Sequence, residues 1–275
     1  MVEIARVIRE TSIVILSPHF DDVPLTYGGY LLAMKKSGLL AKKKITIVNG
    51  FTRTVYQARD TQGNRDSSLK RIQFATGIRL LEDLNCLDEM IGRGQYAYEL
   101  LGERECTTRQ KGWKPGEAFE FPWGNRESFE PEEKEIFARL KEDARRRLLQ
   151  EDTAILCLMG MKEHVDHVIQ REAIVDAAGE LGNRCKAVIY FGEEQPYTGL
   201  ADEQNWETVN AFLKSQELEV LDYAIDLKTK VALVMKNYPS QVEESYEQGM
   251  VNRAVALAKE NGVQGAVERM YRRKQ

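Results

Sequence analysis

Histidine is scarce in this chain, with three in 275 residues. None lies outside two short acid-bearing stretches, Pro18-His19-Phe20-Asp21-Asp22 and His164-Val165-Asp166-His167. Cysteine is nearly as rare: Cys86, Cys106, Cys157 and Cys185 show no paired metal-type spacing, which excludes a cysteine zinc module and a disulfide framework. Buried structural thiols in a reducing cytoplasm are the expectation. No apolar stretch approaches the roughly 20 residues of a membrane helix. The segment Met1 to Glu10 has mixed charge and no secretory core. Positive charge is not in excess either: the net charge is -4, and the runs Lys42-Lys43-Lys44, Arg145-Arg146-Arg147 and Arg272-Arg273-Lys274 are short, so a nucleic-acid partner is not expected.

What is present alternates strand with helix, the pattern of a mostly parallel sheet flanked by helices in an α/β fold. Ser12 to Ser17 reads as a strand, Tyr30 to Lys36 as a helix entered through Gly28-Gly29, and Ile45 to Val48 as a second strand. Asp66-Ser67 caps a helix carrying Leu69 and Ile72, with helical spacing continued over Ile78 to Leu87. Residues 111–129 mix glycine, proline and aromatics and read as an ordered aromatic loop. Pro131 opens a helix with Phe137, Leu140, Ala144 and Leu148 on one face. Thr153 to Met159 is a buried-strand run, Ile169, Ala173, Ala177 and Leu181 mark a helix, and Ala187 to Phe191 reads as a strand. From about residue 205 the chain reads as mostly helical. All 275 residues are expected to form one domain.

Both histidine clusters follow predicted strands directly, and in open α/β sheets ligands bind beyond the carboxyl ends of strands. Segments distant in sequence can meet there. Histidine with carboxylate is a metal-site combination. His19 and Asp22 are close enough to share an ion and His167 can supply a third ligand, leaving a position for water. Asp21 and His164 then remain as a proton acceptor and an imidazolium facing the developing oxyanion. Asp166 can orient a histidine from behind.

These stretches resemble the two signatures of the PIG-L/LmbE family of metal-dependent de-N-acetylases. The first is Pro18-His19-Phe20-Asp21-Asp22 with Leu25 and Gly28-Gly29, against a family Pro-His-Pro-Asp-Asp. The second is His164-Val165-Asp166-His167, against His-Pro-Asp-His. Looser echoes are Arg79-Leu80-Leu81-Glu82, Leu101-Gly102-Glu103-Arg104-Glu105-Cys106-Thr107-Thr108-Arg109 (family Leu-Gly-x-x-Asp-Ala-x-x-Arg) and Tyr238-Pro239-Ser240-Gln241. Phe20 and Val165 replace prolines, Val23 a frequent acid, Glu105 an aspartate and Tyr238 a histidine. The resemblance implies a Rossmann-like sandwich. It implies zinc, or ferrous iron natively, on His19, Asp22 and His167, with Asp21 as general base and His164 as electrostatic stabiliser. Arg79 and Glu105 are implied on the substrate side. The implied substrate is a small N-acetylated sugar conjugate, and a homo-oligomer is compatible with it. Two rival readings stay open: a non-haem iron oxygenase with a two-histidine, one-carboxylate centre, and an inactive sugar-binding protein that keeps its metal site.

Overall fold

A run such as Ser12-Ile13-Val14-Ile15-Leu16-Ser17 is apolar at every inner position, so it suits a strand covered on both faces. It is β1 (Ser12–Ser17) of a seven-stranded sheet ordered β3-β2-β1-β4-β5-β7-β6. The computed structural model describes residues 1–60, 62–109 and 124–274. The other strands are β2 (Lys44–Arg53), β3 (Tyr96–Arg104), β4 (Thr153–Leu158), β5 (Val188–Gly192), β6 (Leu218–Ala224) and β7 (Val267–Arg273). The first five run parallel, with Ile13 opposite both Ile45 and Ala154. β7 is antiparallel to β5 and β6. The helices are α1 (Ile4–Val7), α2 (Asp22–Lys36), α3 (Leu69–Met90), α4 (Pro131–Leu148), α5 (Val165–Leu181), α6 (Tyr197–Leu200), α7 (Glu203–Ser215), α8 (Leu227–Asn237) and α9 (Glu244–Glu260).

Strand alternation builds two cores. Ile13 and Ile15 join Leu31, Leu87 and Val234, from α2, α3 and α8, on one face. Val14 and Leu16 join Ala144, Leu148, Ile174 and Ala177, from α4 and α5, on the other. The result is an α/β sandwich with a mostly parallel sheet.

Several boundaries differ from those read in the sequence. The helix placed after Gly28-Gly29 starts at Asp22 and runs through both glycines. They sit inside it because a Cβ at Gly29 would meet the Glu268 carboxyl at 2.5 Å, and one at Gly28 would meet Met90 at 3.0 Å. Close packing is their reason, not a break. The cap of α3 is Ser68, which accepts from the Arg71 N–H. Pro131 does open α4, with a reciprocal capping box between Glu130 and Glu133. Beyond residue 205 the chain is helical in larger part, and it also supplies β6 and β7. β3 was not legible either. The aromatic loop lies outside the described residues except for its last six, where Phe129 is buried. Among the described residues no helix is long and apolar enough to cross a membrane.

Candidate active site

Strand order reverses between β1 and β4: the chain winds outward from β1 to β3 on one side and from β4 to β5 on the other. That reversal opens a crevice at the carboxyl ends of two directly paired strands. His19 stands two residues past β1. Its turn is tied by the Phe51 N–H to the Pro18 carbonyl (2.9 Å) and by the Ser17 hydroxyl to the His19 carbonyl (2.6 Å). The Asp22 carboxylate accepts from the His19 backbone N–H at 2.7 Å. Asp21 occupies the N-cap position of α2 without capping it, so its carboxylate is left for other work. After β4 the chain reverses through positive φ at Gly160, Lys162 and Glu163. A side chain at Gly160 would press on Arg171 at 3.0 Å. α5 then starts with His164 at its N-cap and Asp166 and His167 in its first turn.

Three donor atoms converge. His19 Nδ1 lies 3.0 Å from His167 Nε2, and Asp22 Oδ2 lies 3.4 Å from each. For a tetrahedral ion with bonds near 2.0–2.2 Å, ligand atoms stand about 3.3–3.5 Å apart. Two edges of the triangle match a face of such a tetrahedron, and the 3.0 Å edge between the two histidines is somewhat shorter. The far side of each ring is held by a carboxylate: His19 Nε2 by Asp166 Oδ2 at 3.2 Å, and His167 Nδ1 by Glu194 Oε1 at 2.6 Å. Carboxylates only accept, so each ring is placed to donate a proton there, leaving its other nitrogen free to turn a lone pair to the shared point when an ion is bound. Two ring nitrogens and a carboxylate oxygen converging on one point form a donor set that could hold a cation.

Electrostatics agree. Burial by itself lowers the affinity of His19 for a proton, but bonding to Asp166 and Asp22 and the field of Glu105 push its pKa up to about 10. Burial is likewise outweighed at His167, where Asp22 and Glu194 raise it. At Asp22 burial works upward, yet His167 and His19 hold the carboxyl down at about 2. The pocket is built for positive charge.

Asp21 behaves oppositely. Burial and the neighbouring Asp22 charge raise its pKa, with Arg79 and His19 pulling the other way. Arg79 Nη2 lies 3.6 Å from Asp21 Oδ1. The same guanidinium donates to Glu105 (2.9 Å), Thr54 (2.9 Å) and Gln241 (2.5 Å). Arg79 and Glu105 thus line the same cavity as His19 and His164, and most of the reach of Arg79 is spent positioning its neighbours. His164 is the rival third ligand, since ring nitrogens of all three histidines lie within 4.8 Å of one another. Asp22 fits better, being 3.4 Å from both other donors and negatively charged. Burial, then the fields of His167 and His19, hold His164 well below the usual histidine range. Asp166 is fixed by Arg109 (2.7 Å) and by the Cys106 backbone N–H (2.9 Å).

Three contributors escape a reading of the sequence. Glu194 stands two residues past β5, and an acid just past an apolar strand was the available signal. Cys106 places its Sγ 3.8 Å from His164 Nε2. Asp83, pushed up to about 8 by burial against the bonds it accepts from Tyr238 and Tyr98, lies beneath the turn whose Phe20 carbonyl Tyr238 contacts at 3.3 Å. The cavity over the donors is only about 30 Å³, enough for one or two waters. Tyr56, Tyr197 and Tyr246 form part of its wall. The far larger groove, about 1440 Å³, surrounds Lys35–Ser37 and Asp226–Thr229. It contains none of these donors and lies at the other end of α2, roughly 21 Å along its axis.

No family model matches the sequence, and no curated protein matches it. Solved structures do match the fold. The zinc-inhibited form of the teicoplanin deacetylase Orf2 superposes with a TM-score of 0.64 at 17% identity, covering 96% of this chain and 99% of that one. N,N'-diacetylchitobiose deacetylase from Pyrococcus horikoshii gives 0.53 at 14% identity over 96% and 84%. GalB, the 4-carboxy-2-hydroxymuconate hydratase from Pseudomonas putida KT2440, gives 0.54 at 14% over 95% of each. One scaffold thus carries more than one reaction, and the reaction must be argued from side chains. Along nearly its whole length, the chain has the fold of the PIG-L/LmbE-type deacetylases whose signatures its two histidine clusters resemble.

Proposed function

We propose that the protein is a metal-dependent amidohydrolase that removes the acetyl group from an N-acetylglucosamine-type sugar or its conjugate. The observation that carries this reading is the donor triangle of His19, Asp22 and His167 beside Asp21, a carboxyl of raised proton affinity that does not cap its helix. A divalent cation there, zinc or ferrous iron, supplies a water of lowered pKa and polarises a carbonyl.

The chain's own groups do the rest. Asp21 takes the proton as the water oxygen bonds to the amide carbon, then returns it to the sugar nitrogen as the carbon–nitrogen bond breaks. Its raised pKa suits a group that must first accept and then give. His164 donates an N–H to the oxygen where negative charge develops. Asp166 and Glu194 keep the His19 and His167 rings turned to the ion. Acetate and a free amine leave. The acetylated sugar is supported by the two motifs and by fold neighbours that are deacetylases. The oxygenase reading calls for a jelly roll, and the parallel sheet offers it no support.

The test is acetate release from a panel of N-acetylglucosaminyl conjugates by protein loaded with zinc or ferrous iron. Stoichiometric acetate and free amine from at least one conjugate are expected. No release by metal-loaded protein across the panel would contradict the substrate class. The sugar-binding alternative is separated by Asp21→Ala: an enzyme loses turnover and keeps its metal.

A further inference from the structure

Cys106 sits where the family signature carries alanine, and its side chain faces the chemistry. Its Sγ is 3.8 Å from His164 Nε2. A zinc ion with bonds of about 2.3 Å to sulfur and 2.0–2.1 Å to nitrogen holds those two atoms about 3.6 Å apart. Asp166 completes a trio whose donor atoms all lie within 4.8 Å of one another, and all three residues are buried. Its carboxylate accepts from His19, Arg109 and the Cys106 backbone, three bonds against about four lone-pair sites. Room for a further partner remains. Cys106 and His164 also line the small cavity above the donor triangle, which gives the trio an open side for water.

We propose that Cys106, His164 and Asp166 form a second cation site that takes a thiophilic divalent ion such as Zn2+ or Cd2+ and stops hydrolysis. Sulfur sets the selectivity: a thiolate favours zinc or cadmium and disfavours magnesium or calcium. On binding, the S–H bond breaks, its proton passes to solvent and a sulfur–metal bond forms, with no change of oxidation state. Burial, with Asp166 and Glu105, pushes the thiol well above its usual range. A cation on His164 removes that imidazole from the developing oxyanion. It also fills a cavity that holds one or two waters. The inhibition arm rests on the hydrolase reading; the binding arm does not.

The experiment is a Co2+ titration of metal-free wild type, Cys106→Ala and His167→Ala, recording bound ions, released protons and thiolate-to-cobalt charge-transfer absorption. Wild type is expected to bind two ions, one of them with the charge-transfer band and a released proton. Cys106→Ala should lose that band and that ion, and His167→Ala should keep the band. Absence of the band at saturation in wild type, or its survival in Cys106→Ala, would overturn the site. In the hydrolysis assay, the zinc concentration giving half inhibition should rise at least about tenfold in Cys106→Ala. An unchanged value would overturn the inhibitory role.

Discussion

Asp21 and Asp22 are adjacent in the chain and chemically identical, yet the protein treats them in opposite ways. Asp22 points between two imidazoles and accepts the His19 backbone N–H, and its carboxyl is held at about 2. Asp21 faces the small cavity, has burial and the charge of Asp22 against it, and is raised. One arrangement makes a permanent anion fit to bind a cation. The other makes a base with real affinity for a proton. Pairs of carboxylates pushed apart in this way divide the labour of a hydrolytic site.

Four experiments break or sharpen that contrast. The largest effect belongs to Asp22→Ala, which removes the charged corner of the triangle. Metal content should fall to background and turnover should drop on the order of 10⁴-fold or more, as several kcal/mol of charge stabilisation disappear. Asp21→Asn should keep full metal content by elemental analysis while kcat falls about 10²- to 10⁴-fold. Comparable metal loss in both variants would erase the distinction. Glu194→Gln leaves the triangle intact but loosens His167, and metal affinity by competitive chelation should weaken about 10- to 100-fold. The smallest effect is on pH dependence. Asp21 works only when ionised, and its pKa is raised, so activity should be lost on acidification at a higher pH than an ordinary carboxylate (about 3.9) would set. Arg79 opposes that rise. Arg79→Met should therefore move the acid limb of kcat/KM upward by about one unit; a downward shift would refute the assigned pairing.

The centre of the molecule was legible in the sequence because burial on both faces writes strands as unbroken apolar runs. β1, β2, β4 and β5 were found this way, as was the position of both motifs at strand ends. β3, β6 and β7 lie toward the edges; β3 has no fully buried position and β6 only three, while β7 mixes buried with half-buried ones. Tyr96–Arg104 alternates half-buried and exposed positions and carries Glu99, Glu103 and Arg104, so nothing in it reads as core. The proposed donor set could be put forward from the sequence because its spacing is local within each cluster. Glu194 was not, since its role depends on β4 and β5 lying side by side, a fact of sheet order. Cys106 was read as a structural thiol for the same reason: only the folded chain shows what its sulfur faces.

The most direct test is a crystal structure of the zinc-loaded protein with the ion located by anomalous scattering. The account predicts an ion about 2.0–2.2 Å from His19 Nδ1, Asp22 Oδ2 and His167 Nε2, separate from any ion at Cys106, with Asp21 outside its coordination sphere. An ion held by Asp21 in place of Asp22, or by His164 in place of either histidine, would contradict it.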